Sequence, residues 1–233
     1  MIRIARMISH LRIESAFPIM LPSGDCPIRV VCIGQVADKD TTMPEDPSSI
    51  NKSDHTKASW QDRTIALVGL MGAGKSTVGR RLASSLDRPF FDSDDEIEKA
   101  AGLSVSDIFA LHGEAEFRRG EQRVLERLLA GPPHILATGG GAYLNADTRA
   151  LMRDKAITVW LNADLETLWK RVSKRHHRPL LKRPNPKGVL TDLLEERRPI
   201  YEEADLIVHS VDGPHNLTVD KIIDALKTWK PTA

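Results

Sequence analysis

The sequence predicts an α/β domain in which a parallel sheet is wrapped on both faces by helices. Two observations carry this expectation. From about Arg63 onward, short apolar runs alternate with segments of helical periodicity five times over, and alternation of this kind gives parallel strands joined by helical crossovers. The first strand and first helix are also joined by Gly69-Leu70-Met71-Gly72-Ala73-Gly74-Lys75-Ser76. This is a full G-x-x-x-x-G-K-[ST] match in the strand-turn-helix setting that gives the motif its meaning.

Each element follows from local pattern. Thr64–Val68 is a short apolar run ending in glycines, as expected of a strand buried on both faces. In Lys75–Leu86, Val78, Leu82 and Leu86 share one helical face. Pro89–Phe91 reads as a second short strand. Two helical segments follow, about Asp95–Ala101 and Val105–Leu111, the latter with Ser104 as N-cap. Ala115–Leu129 is a longer helix that stops before Gly131-Pro132-Pro133. Strand His134–Thr138 runs into the turn Gly139-Gly140-Gly141, and helix Ala146–Arg153 starts behind Asn145. Strand Ala156–Leu161 leads to helix Leu165–Lys174. A basic, proline-rich loop, His176–Gly188, precedes helix Val189–Glu203, strand Asp205–His209 and helix Leu217–Trp229. There is no internal repeat, and the pattern alone does not fix the order of the strands. Ligands on such sheets collect at the carboxyl ends of the strands.

The first sixty or so residues differ from this domain. Met1–Val36 is mixed apolar and basic, interrupted by Pro18, Pro22 and Pro27, and Ala37–Asp62 is polar, with the composition of a disordered linker. Arg3, Arg6 and Arg12, with no acid before Glu14, weakly resemble an organellar leader. A start of synthesis at Met43 and a dispensable extension are equally compatible. Residues 1–62 are therefore expected to form an extension and residues 63–233 the folded domain.

Composition excludes several classes of function. Lys and Arg number 33 against 32 Asp and Glu, a formal charge of +1, and aromatic residues make up 5%. Broad electrostatic attraction to nucleic acid or membrane surfaces and rows of base-stacking rings are not expected. No apolar run approaches the ~18 residues of a transmembrane helix. Cys26 and Cys32, the only cysteines, read as ordinary thiols of a reducing cytosol. A cytoplasmic monomer acting on small molecules is the expectation.

The glycine-rich loop supplies the first chemistry. Gly72 and Gly74 let backbone N–H groups close around phosphate oxygens, with the helix N-terminus facing the negative charge. Lys75 can reach the β- and γ-phosphates, and the Ser76 hydroxyl can ligate Mg²⁺. The loop says nucleoside triphosphate but not what receives the phosphoryl group.

Four further stretches bear on the acceptor. Asp92 and Asp94, two apart at a strand end, would point to the same side. One could hold a metal-bound water and the other orient a hydroxyl; alternatively they are the N-cap and first turn of a helix, as Asp95 and Glu96 are expected to be. Arg118 and Glu121 are three apart on a helix and can pair, which would hold a guanidinium fork ready for a carboxylate; a solvated charged face is the bland reading. Gly139-Gly140-Gly141 either makes a tight turn or leaves room for a ligand against the backbone. The loop around Arg175–Leu181 could close over a nucleotide and bring in Arg178, or be an exposed basic loop. His176 and His177 read as solvated.

The segments LVGLMGAGKSTVGRRLA, FFDSDDEIE, SVSDIF, HGEAEFRRGE, TGGGA, RPLL and RRPIY, in this order and spacing, resemble the shikimate kinase family over about Thr64–Trp229. The resemblance implies a P-loop NTPase with a nucleoside-monophosphate-kinase-like fold. Its five-stranded parallel sheet would have the order 2-3-1-4-5, flanked by helices and carrying a lid loop. It implies transfer of the γ-phosphate of ATP, with Mg²⁺, to the 3-hydroxyl of shikimate on the way to chorismate and the aromatic amino acids. Carried over residue by residue, Gly72, Ala73, Gly74, Lys75, Ser76 and Thr77 would bind ATP. Ser76 would ligate Mg²⁺ and Asp92 would reach it through water. Asp94 would act on the shikimate hydroxyl, Arg118 and Arg197 would bind the carboxylate, and Gly140 and Gly141 would present backbone groups. Glu121 would steady Arg118, and Gly139 would shape the turn. Arg171 would stack on adenine and Arg178 would act from the lid, so that Lys75, Asp94 and Arg178 form the catalytic set. The extension has no counterpart in compact members of the family. Gluconate kinase shares the phosphate loop, but the DSD, FRRGE and GGGA segments point away from it. A ligand sensor without turnover would usually carry a fused DNA-binding module, and residues 1–62 show no helix-turn-helix pattern.

Overall fold

The computed structural model describes residues 59–174, 184–210 and 213–231; Arg178 and most of the basic loop lie outside them. Five strands form one sheet: β1 (Thr64–Val68), β2 (Phe90–Asp92), β3 (Ile135–Ala137), β4 (Ala156–Asn162) and β5 (Leu206–His209). Their order is β2-β3-β1-β4-β5, and every neighbouring pair is parallel. This is the order that the resemblance implies. β1 is central and buried along its whole length, which explains its unbroken apolar run. Ile65 pairs with Ile135 on one side and Ile157 on the other, and all three side chains are fully buried.

Helices α1 (Lys75–Leu86), α2 (Ser93–Ala101), α3 (Val105–Leu129), α4 (Ala146–Lys155), α5 (Leu165–Val172), α6 (Pro186–Tyr201) and α7 (His215–Thr228) connect the strands. Several begin where a side chain satisfies an otherwise orphaned first-turn N–H. Ser104 accepts from Asp107 N at 3.1 Å, Asn145 from Thr148 N at 3.0 Å, and Asp164 from Thr167 N at 2.7 Å. α6 starts at Pro186, three residues earlier than the sequence suggests. Proline is tolerated in a helix's first turn, and Asn185 caps the Gly188 N–H at 3.2 Å.

The segments expected as separate helices before and after residues 112–114 run on as α3, broken at Gly113, whose φ of 77° and ψ of 175° are not helical. That conformation is open essentially to glycine alone. A Cβ at Gly113 would meet nothing within 4 Å, so Gly113→Ala isolates the backbone cost. It is expected to lower stability by about 1–3 kcal/mol. Gly120, on the same helix and equally uncrowded, has no positive φ; Gly120→Ala should be neutral or raise stability by about 0.5–1 kcal/mol. Denaturant midpoints of the two variants check the contrast, and equal midpoints would contradict it.

The topology positions the site. The loop after β1 lies at the centre of the sheet's carboxyl edge. The ends of β3 and β2 lie to one side of it, and those of β4 and β5 to the other. Among the described residues, no helix is long and apolar enough to cross a membrane.

Candidate active site

A cavity of about 340 Å³ opens above the carboxyl edge of the sheet. Its floor is the loop between β1 and α1. Gly69, Gly72 and Gly74 take φ of 131°, 86° and 98°, which curls the chain so that successive N–H groups face inward. Gly74 is the N-cap of α1, so the positive end of that helix points into the cavity. Gly72, Gly74, Lys75, Ser76 and Thr77 all line it, while Ala73 is 1% exposed and packs beneath. The Lys75 ammonium donates to Gly69 O at 2.8 Å and Leu70 O at 3.1 Å, which holds a buried cation against the loop.

The Ser76 hydroxyl donates to Asp92 Oδ2 at 2.6 Å. Asp92 is also the N-cap of α2, with Oδ1 accepting from Asp94 N at 3.2 Å. The helix-cap reading of that acid therefore holds, and its second oxygen meets the Ser76 hydroxyl. Asp94 differs from expectation in its element. β2 ends at Asp92, and Asp94 sits in the first turn of α2. The two acids share the cavity because a helix begins there, not because strand residues alternate. Burial, then the neighbouring Asp92, push the Asp94 carboxyl above the usual range, and Lys75 opposes them.

Beside this group lies the turn after β3. A Cβ on Gly139 would lie 2.8 Å from Asp94 Oδ1 and 2.9 Å from Glu121 Oε1, so only glycine admits both carboxylates. Gly139 N donates to the fully buried Ser93 hydroxyl at 2.8 Å. Ser93, the middle residue of the DSD segment, thus ties α2 to the turn. The sequence drew attention to its flanking acids and gave it no role.

Arg118 donates to Glu121 Oε2 at 2.6 Å and to Glu114 Oε1 at 3.3 Å, as their helical spacing predicts. Glu121 is 3% exposed; burial raises its proton affinity and Arg118 lowers it. Its Oε1 and the Nε of Arg197 are buried with no hydrogen-bond partner among the described residues. The Arg118 guanidinium lies over Gly141, where a Cβ would come within 2.6 Å of Nη2. Arg197, on α6, donates to Gly140 O at 3.4 Å. Two arginines far apart in sequence thus meet the same glycine turn, at the rim of the cavity that Gly140 lines.

On the far side of the loop, Arg171 donates to Gly72 O, Ala73 O and Ser210 Oγ at 3.4, 3.3 and 3.2 Å. Arg171 and His215 both line the cavity. Neither Ser210 nor His215 carries a motif that would single it out in the sequence.

Comparison with known proteins identifies the family. The shikimate kinase family profile matches residues 71–227. The chain is 56% identical over 165 residues to the shikimate kinase of Caulobacter vibrioides, covering 71% of this chain and 82% of that one.

The chain belongs to the shikimate kinase family.

It is also 51% identical over 172 residues to the shikimate kinase of Rhodopseudomonas palustris, covering 74% of this chain and 85% of that one. A solved structure of shikimate kinase from Acinetobacter baumannii in complex with shikimate superposes with a TM-score of 0.68 at 40% identity. It covers 71% of this chain and 93% of the other. The family match takes in Ser76, Asp92, Asp94, the glycine turn and both arginines. The fold expected of a shikimate kinase is the fold observed.

Proposed function

We propose that this chain transfers the γ-phosphate of ATP to the 3-hydroxyl of shikimate. The observation that carries the reading is the meeting of Arg118 and Arg197 on the glycine turn, next to Asp94 and across from the phosphate loop. A carboxylate placed between two guanidinium groups is paired on entering a partly buried site, which offsets the loss of its hydration. An acceptor anchored there by its acid end presents a ring hydroxyl toward Asp94.

The residues then divide the work. The backbone of Gly72, Ala73, Gly74 and Thr77, with Lys75, holds the phosphates, and Arg171 lies on the nucleotide side. Asp94 accepts the proton of the 3-hydroxyl as its oxygen forms a bond to the γ-phosphorus. The bond from that phosphorus to the β,γ-bridging oxygen breaks, and ADP departs. Catalysis is mostly positioning and charge neutralisation. Arg178, in the basic loop, is assigned the closing role by its place in the motif order.

The donors fit Mg²⁺. A hydroxyl and a carboxylate oxygen lie 2.6 Å apart at Ser76 and Asp92. Mg²⁺ usually takes few protein oxygens and completes its shell with phosphate and water. Ser76 would hold the ion directly and Asp92 through water, and the ion would neutralise charge developing on the phosphates. We propose that the chain acts as a monomer, because its size suits one self-contained α/β domain, and that the reaction takes place in the cytoplasm. We assign the catalytic unit to residues 63–233, with residues 1–62 as an extension.

The test is ADP release with MgATP and, in parallel, shikimate, gluconate, nucleoside monophosphates or no acceptor. Turnover with shikimate alone is expected. Turnover with another acceptor would keep the kinase and discard the substrate, and binding without turnover would favour a sensor.

Asp94 offers a second test with two opposite signs. Its proton affinity is raised by folding, so between the ordinary and the raised pKa the folded state holds more protons than the unfolded one. Stability therefore falls as pH rises through that window. Asp94→Asn removes this penalty. The variant should melt above the wild type at neutral pH, by on the order of 2–4 °C for each kcal/mol relieved. The advantage should vanish below about pH 4, where the carboxyl is protonated in both states. Turnover should meanwhile fall about 10²- to 10⁴-fold, as for loss of a general base. A variant that is no more stable at neutral pH, or that retains near-normal turnover, would contradict the assignment.

A further inference from the structure

We infer that Tyr201 is a positioning residue for the acceptor side, acting through the carbonyl of Gly140 and through Arg197; this rests on the function proposed above. The Tyr201 hydroxyl donates to Gly140 O at 2.6 Å. Arg197 reaches the same oxygen at 3.4 Å, at the outer limit for a hydrogen bond. Tyr201 and Arg197 are four apart on α6, so one helix face brings both to one acceptor.

Tyr201 is well placed to be the fixed member of the pair. It is fully buried. Its ring stacks on Trp160 of β4 at 5.9 Å and lies parallel to Tyr143 at 6.4 Å. The hydroxyl is therefore held by the sheet and not by a mobile chain.

Two consequences follow from pinning that carbonyl. Across a trans peptide the C=O and the next N–H are antiparallel, and the chain has no cis bonds among the described residues. Fixing the direction of Gly140 O thus fixes the Gly141 N–H on the opposite face of the turn. Secondly, a carbonyl already satisfied by a short bond makes little demand on Arg197. The guanidinium, whose bond to Gly140 O is long at 3.4 Å, stays available to an anion. Without the hydroxyl, Gly140 O would take Arg197 as its donor and draw it away from the substrate.

Tyr201→Phe tests this while keeping the ring stacks. The Michaelis constant for shikimate should rise about tenfold, as expected for loss of a binding interaction of this size. That for ATP should stay within about twofold, and kcat should change less than the shikimate constant. Tyr143→Phe is the control, because it removes a hydroxyl from the same aromatic cluster that does not touch Gly140. It should leave shikimate binding unchanged. In an Arg197→Lys background, Tyr201→Phe should cost less than in the wild type, since the part of its effect that runs through Arg197 is already lost. Equal losses in Tyr201→Phe and Tyr143→Phe would overturn the inference in favour of simple packing. So would full additivity with Arg197→Lys, or an unchanged shikimate constant in Tyr201→Phe. Failure of the wild type itself to turn over shikimate would instead remove the functional reading, and this inference with it.

Discussion

Lys75→Ala is expected to lower turnover about a thousandfold or more, the scale on which preorganised charges at a transferring phosphoryl group act. The reason lies in how Lys75 is held. It is 9% exposed, and its ammonium is fixed by two loop carbonyls, Gly69 O and Leu70 O. A cation so placed needs little reorganisation when negative charge develops on the γ-phosphate. It also acts on the acceptor side, because it is the main group opposing the upward shift of Asp94. Without it, Asp94 keeps its proton to higher pH. The residual activity of Lys75→Ala should therefore have an acid limb displaced toward alkaline pH relative to the wild type. Steady-state ADP release across a pH series measures both effects. Turnover within tenfold of wild type would contradict the role given to the loop, and an unmoved acid limb would contradict the coupling to Asp94.

The elements that the sequence reveals and those it hides differ for physical reasons. β1 and the loop after it were legible because each residue type has one purpose there: apolar side chains for a strand buried on both faces, glycines for positive φ, and a Lys-Ser pair opening the helix. Arg118 and Glu121 were legible as a pair because helical spacing alone brings them together. That their fork lies over Gly141 was not, because it depends on α3 packing against the turn after β3, a contact between residues far apart in sequence. Asp94 was found for a partly mistaken reason, since a strand ending and a helix beginning share the same short stretch of acids. Ser93, Tyr201 and Ser210 act through single hydroxyls on distant backbone or side-chain atoms. A hydroxyl leaves no periodicity or spacing in a sequence, so only the tertiary structure reveals its partner.

Arg118→Ala is expected to raise the Michaelis constant for shikimate about a hundredfold, the scale of truncating one member of a desolvated charge pair. Binding of ATP should change little, because Arg118 lies against Gly141 and pairs with Glu114 and Glu121. The variant carries a second effect that must be separated from the first. Removing Arg118 strands Glu121, which is nearly buried, has one oxygen without a partner among the described residues, and already has a raised proton affinity despite the arginine. With the arginine gone, Glu121 holds its proton more tightly still, and the fold loses stability as pH rises above the ordinary carboxyl range. The loss should be limited to about 1–3 kcal/mol, because the carboxyl can take up a proton instead of remaining charged. Arg118→Ala combined with Glu121→Gln removes the stranded charge. The double variant should recover most of the stability at neutral pH and none of the affinity for shikimate. Recovery of both would mean that Arg118 serves only to neutralise Glu121 inside the fold. Loss of ATP and shikimate binding to the same degree would mean that it supports the whole cavity. Recovery of stability alone leaves the guanidinium one task, which is to meet the carboxylate of the acceptor.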